Sequence, residues 1–153
     1  MAGCIAVGHL ESMSQKRPSS DPQIADIRHE WHWIKPLLDN MLTLNSYLTW
    51  IPEDVYHECR SGNAVLWVAE TGFVITTLHT DEYSNEKSLV VWIAAAKELG
   101  GKNVVSYLPF FEDVAKGCDC HNVEVWSFVD CMEEYLAPLG FEVATRVFKK
   151  RVP

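Results

Sequence analysis

Two short stretches carry the side chains best suited to hold a metal. Gly117–His121 reads Gly-Cys-Asp-Cys-His and places Cys118, Cys120 and His121 within four residues. Thiolate and imidazole together suit zinc or copper. His57 and Cys59 form a distant pair, but no second ligand pair stands at a usual spacing, so a helix-end loop with buried thiols is the better reading. Arg28–Trp33 carries His29 and His32 at i and i+3, half of a metal site on a helix. The His-Glu-x-x-His arrangement is absent, so these read as partly exposed histidines of an amphipathic helix, and no metal is expected. For acid–base work near the middle of the chain, Glu70, His79 and Asp81 are available. Each also reads as an ordinary polar residue at a strand end.

The chain that must position them has 153 residues, 48% hydrophobic and 22% charged, with a formal net charge of −8. That is the composition and length of one globular domain able to bury more than half of its unfolded surface. The negative balance opposes non-specific nucleic-acid binding, which needs clustered lysine and arginine. The one basic cluster is terminal, Arg146, Lys149, Lys150 and Arg151, and reads as a solvated edge strand. Five cysteines, an odd count, point to a reduced compartment. Met1–Cys4 lacks the charged and apolar regions that precede a lipoprotein cleavage site. No apolar run reaches the roughly 18 residues that span a bilayer, so no membrane is expected. Six tryptophans are too many for one core of this size; some should line a cleft or a partner surface.

Residues 1–22 are set apart. A mildly apolar start is followed by a polar, aperiodic stretch broken by Pro18 and Pro22. This reads as an arm or linker before a domain at 23–153. It is either a disordered tail or an arm that orders on another chain, with Ile5, Val7 and Leu10 to bury.

Within the domain, 23–27 suits a short strand. Trp31, Ile34, Leu38 and Met41 form a helical stripe, with Pro36 expected in the first turn or at a kink. Pro52 suits the start of a second helix and Gly62 its stop. Strands are expected over 63–71 and 73–80, then a polar hairpin loop over 81–87. Ser88–Ala96 is nearly all apolar, as for a strand covered on both faces. A helix carrying Pro109 in its first turn, a strand over 122–128, and a short helix follow. Asp130 stands three residues before Glu133, a capping-box spacing, and Gly140 suits a left-handed stop. A strand over 141–148 completes the order β-α-α-β-β-β-α-β-α-β. Trp92, Ile93, Leu136, Leu139 and Phe141 are expected to be largely buried.

Strand–helix–Leu139-Gly140-Phe141–strand at the end of such a chain resembles the close of the GNAT acyltransferase fold. The layout strand–Tyr107-to-Cys118–strand–Pro138-to-Phe141 looks especially like the small GNAT-like proteins of tailed phages. The resemblance implies an α/β fold with a mixed central sheet and helices on both faces. It implies acetyl-CoA as cofactor, held by Ile93 and Ala94 on the fourth strand and by Gly100, Gly101 and Lys102 in the loop beyond it. In that family the loop reads Gln/Arg-x-x-Gly-x-Gly/Ala, whose glycines let backbone N–H groups approach the pyrophosphate. Here Gly101 fits the last position, Leu99 stands at the middle glycine and Ala96 replaces Gln or Arg. The family's tyrosine acid falls at Leu136. Tyr135 is one step away, turned by about 100° on a helix. Glu70, His79 and Tyr135 are thus the catalytic candidates that remain.

Three functions fit this pattern, one of them a host-interaction protein that mimics an acidic partner. Another is a phage-type GNAT-like protein with degenerate catalytic motifs, serving as a non-catalytic virion-associated or assembly protein in the host cytoplasm or the virion. Its contacts would be protein partners or further copies of itself, reached through the N-terminal arm. The third is an acetyl-CoA-dependent N-acetyltransferase with a variant phosphate loop, since acyl transfer to an amine needs little beyond an unprotonated amine aligned with the thioester.

Overall fold

The pleat of three central strands sends successive side chains to two faces, and each face recruits its own helices. The computed structural model describes residues 20–98, 104–129 and 131–153. Most of the N-terminal arm, the loop residues Gly100, Gly101 and Lys102, and Asp130 lie outside the described residues. Five strands, β1 (Gln23–Ile24), β2 (Ala64–Ala69), β3 (Gly72–Thr80), β4 (Lys87–Ala96) and β5 (Asn122–Val125), form one sheet in the order β1-β2-β3-β4-β5. The first three pairings are antiparallel and β4–β5 is parallel.

On one face lie α1 (Ile27–Leu44) and α2 (Pro52–Ser61). Ile27, Ile34, Leu38 and Met41 of α1 and Val55 of α2 pack there with Leu66, Phe73, Ile75, Ile93 and Ala95 of the sheet. On the other face lie α3 (Leu108–Gly117) and the short α4 (Met132–Leu136). Their Leu108, Phe111, Ala115, Met132 and Tyr135 pack with Val74, Leu89, Val91, Ala94 and Ala96. A mixed sheet with helices on both faces is therefore the observed architecture, and the first nine expected elements occur in the expected order.

Several local expectations are corrected. The first strand shrinks to two residues because Asp26 caps α1, accepting from the Arg28 amide at 2.9 Å. The helix thus starts earlier than Trp31, and Pro36 falls in its interior, where its ring lacks an N–H to donate. α2 runs as expected from Pro52 to a left-handed Gly62 at φ 84°. In α3, a 3-10 turn over Val104–Tyr107 leads into Pro109 in the first helical turn.

The expected last strand over 141–148 does not form. Residues 141–153 join no ladder, and the tail is held by side chains instead. Arg146 pairs with Glu133 at 3.0 Å, and Arg151 donates to the Ser46 carbonyl at 3.1 Å. The basic cluster is accordingly a solvated tail, not an edge strand. Burial near the C-terminus also shifts by one position. In α4 the inward residues are Met132 and Tyr135, while Leu136, Leu139 and Phe141 are only half-buried.

Candidate functional site

The two faces of β4 exchange partway along it. Leu89 and Val91 belong to the α3/α4 side, yet Ile93 and Ala95, of the same parity, belong to the α1/α2 side. The ladder explains this. Ile75 pairs with Ile93 but Thr76 pairs with Val91, so Trp92 is an extra residue, a β-bulge. One inserted residue turns every later side chain to the opposite face. Both halves of β4 are therefore buried without a break in apolarity, which is why its sequence reads as continuous.

The bulge coincides with the end of the β4–β5 pairing. Val91–Val125 is the last parallel pair, followed by one bond from the Trp126 amide to the Val91 carbonyl at 3.2 Å. Beyond it β5 ends, and among the described residues Ile93–Ala96 have β3 as their strand neighbour. This point lies toward the carboxyl ends of two parallel strands, the end of an α/β sheet where ligands are most often held. Aromatic side chains crowd its α1/α2 side. Trp50 from the α1–α2 loop meets Trp92 edge-on, and both belong with Phe128 to the margin of that core. Trp126 is 57% exposed, its indole donating to Glu124 Oε2 at 3.0 Å. None of the six tryptophans is fully buried, so even Trp92, expected in the core, sits at its edge.

Ile93 and Ala94 follow the bulge directly and are buried, one on each face. The acid–base candidates do not converge there. Glu70 is exposed in the β2–β3 turn, at the Gly72–Ala96 end of the sheet. His79 is exposed at the other end of β3, opposite Ser88. Asp81 shapes the β3–β4 hairpin: its carboxylate accepts from the amides of Ser84 and Tyr83 at 2.8 and 2.9 Å, and these bonds lower its pKa. Tyr135 is buried among the α3/α4-side residues, and burial pushes its phenol above the usual range, with Cys131 and Glu134 adding to the shift.

One polar side chain that the motifs did not single out is Tyr107. It is 1% exposed, and its phenol oxygen accepts from Thr71 Oγ1 at 3.2 Å, tying the turn before α3 to the β2–β3 turn. Its signal in sequence, an aromatic just before Leu108-Pro109, does not distinguish it from ordinary core.

The sulfur-and-imidazole stretch is tied into the fold by hydrogen bonds. His121 Nδ1 accepts from the Lys87 amide at 3.1 Å, and the His121 amide donates to the Lys87 carbonyl at 2.7 Å. Lys87 Nζ donates to the Cys118 carbonyl at 2.8 Å. The loop thus docks α3's end onto the start of β4. His29 and His32 are exposed on α1. Among the described residues no group of three His, Cys, Asp or Glu is placed to hold a metal. A hollow of about 170 Å³ between β1, β2 and α2, including Asp26, Cys59 and Arg60, lies at the opposite edge of the sheet from β5. No helix among the described residues is long and apolar enough to cross a membrane.

No protein-family model matches the sequence, and no curated protein matches it. Solved structures do match the fold. A ribosomal-protein-alanine N-acetyltransferase from Brucella melitensis biovar Abortus 2308 superposes with a TM-score of 0.63 at 14% identity, over 87% of this chain and 100% of that one. A probable acetyltransferase gives 0.61 at 15% identity, over 88% and 97%. Glucosamine-6-phosphate N-acetyltransferase from Arabidopsis thaliana gives 0.58 at 14% identity, over 87% and 98%. The chain has the fold of GNAT acetyltransferases.

Proposed function

We propose that this chain is a GNAT-fold protein that has kept the frame of an acyltransferase and works as an interaction component, with little or no turnover. The observation that carries this reading is the dispersal of its acid–base groups. Tyr135 is packed into one face of the core, while Glu70 and His79 stand exposed at opposite ends of β3. A general acid or base acts only within hydrogen-bond reach of the proton it moves. The loop sequence agrees, since Leu99 and Ala96 stand where the family's phosphate loop has glycine and a long polar side chain.

The setting that fits is a virion or an assembly intermediate in a phage-infected cell. Support for it is the resemblance of the Tyr107–Cys118 and Pro138–Phe141 layout to small GNAT-like phage proteins. Contacts would run through the N-terminal arm and the half-exposed tryptophans. Large amphipathic rings are favoured at such surfaces.

A second reading is favoured by the Trp92 bulge and the end of the β4–β5 pairing at Val91–Val125. Backbone groups of Ile93 and Ala94 there would hold the thioester of acetyl-CoA, and the cofactor would supply the activated acetyl group for an amine. The two readings separate in a turnover assay with acetyl-CoA and a panel of primary amines, monitored by release of free thiol. No release above the uncatalysed rate is expected. Sustained turnover that is lost when Gly101 is replaced by a bulky residue would establish the second reading.

A further inference from the structure

At the β1 edge of the sheet an apolar side chain is left to solvent, for Ile24 is 68% exposed. Beside it opens the hollow of about 170 Å³ between β1, β2 and α2, a volume on the order of one that holds a benzene-sized apolar group. Its walls include Ile24, Ile27, Ala64, Val65 and Leu66, together with the half-buried, unbridged Cys59. Proteins commonly cover such a sheet edge with a loop or a terminal segment. The chain enters the domain at this spot. Pro22 is buried, Gln23 and Ile24 pair with Val68 and Trp67 of β2, and the Ala25 amide donates to the Leu66 carbonyl at 3.0 Å. The N-terminal arm is therefore tethered at the rim of the hollow.

We propose that the apolar start of the arm, residues 4–10, packs into this hollow in its own chain and covers Ile24 and Cys59. Three observations select the arm as the occupant. Ile5, Val7 and Leu10 are apolar and stand outside every helical or strand period of the domain. Length suffices: nine residues, Glu11–Ser19, separate them from Ser20, where the described chain begins, and span roughly 30 Å when extended. Attachment favours the chain's own arm over a free partner, because a short tether holds a segment at an effective concentration on the order of millimolar. Pro18 and Pro22 also keep α1 from running back into the arm and carrying it away from the sheet. The contact is local, so it sets access to the hollow and leaves the unfolding of the domain unchanged. A partner that binds the arm through the same side chains must first draw it out. The inference does not depend on whether the chain turns over acetyl-CoA.

The test uses the full chain and its own cysteines. Mild oxidation with diamide takes one hydrogen from each of two thiols and joins their sulfurs, the diamide being reduced to its hydrazine. In dilute protein it should link Cys4 to Cys59 within one chain, as identified by peptide mapping without reduction. Alkylation of Cys59, followed by mass spectrometry, should be roughly tenfold faster in an Ile5→Ser, Val7→Ser, Leu10→Ser variant, the scale set by one buried aliphatic side chain. The circular dichroism of that variant should match that of the native chain. An unchanged alkylation rate in the variant overturns the proposal. So does a Cys4–Cys59 link that forms only between chains, which would place the arm on a second copy. A map in which Cys4 joins Cys118, Cys120 or Cys131 in preference to Cys59 overturns it as well, because the arm would then lie elsewhere.

Discussion

Trp92, the extra residue of the β3–β4 ladder, meets Trp50 edge-on, with ring centroids 6.5 Å apart and planes at 76°. The contact ties the α1–α2 loop to the point where β4 and β5 part. Replacing either ring by alanine should loosen the α1–α2 loop. Such aromatic pairs contribute about 0.5–1.5 kcal/mol beyond their area burial. A double-mutant cycle of Trp50→Ala and Trp92→Ala, read by chemical denaturation, is expected to show a coupling in that range. Strictly additive effects would mean that the rings are neighbours without mutual stabilisation.

Core energetics should follow the observed burial. Phe111 is 1% exposed and packs edge-on to both Trp67 and Phe110. Phe111→Ala should cost roughly 3–5 kcal/mol. Phe141, half-buried beside the same cluster, should cost clearly less when truncated. Equal losses at the two positions in equilibrium unfolding would contradict this assignment.

Alkaline stability should depend on Cys59. Burial pushes its thiol from 9.0 up to about 11, with Glu58 adding to the shift. A raised folded-state pKa means that the folded chain resists forming the thiolate. Its stabilising contribution is complete below about pH 9 and is lost as the pH rises through about 11. Tyr135 acts with the same sign at higher pH. Thermal melts of Cys59→Ala should fall less steeply than the native chain over that window. Parallel slopes would show that the thiol is not the group responsible. The same burial predicts slow alkylation of Cys59 at neutral pH.

The N-terminal arm is expected to dock on a partner protein. Deleting residues 1–22 should leave the melting curve of the domain in place and reduce incorporation into the native particle or complex, measured by co-sedimentation. Undiminished incorporation would leave the tryptophan-bearing surface as the contact.

Much of the fold was legible because its signals are local and strong. The α1 stripe, Pro52 and Gly62 around α2, and the apolar run of β4 each appear at the expected place. The bulge at Trp92 was not legible: a strand buried on both faces has no alternation, so an inserted residue leaves no mark in its pattern. Asp26 was missed as a cap because the apolar residues around it read as strand. Tyr135 faces inward because α4 is only five residues long and its orientation is set by packing into the cluster on the α3 side of the sheet, which a short periodicity cannot reveal. The tail over 142–148 has a strand's pattern but lacks a ladder, because pairing depends on a neighbour that pattern alone does not supply. Of the candidate site, Gly100, Gly101 and Lys102 lie outside the described residues, Ile93 and Ala94 are buried on opposite faces of β4, and Glu70, His79 and Tyr135 stand apart from one another.

Calorimetric titration of the purified full chain with acetyl-CoA is the most direct test of the central claim. The account predicts weak binding or none, because Leu99 and Ala96 replace residues of the phosphate loop. A dissociation constant of micromolar or tighter, about 8 kcal/mol or more of binding free energy, accompanied by acetylation of a primary amine, would contradict it.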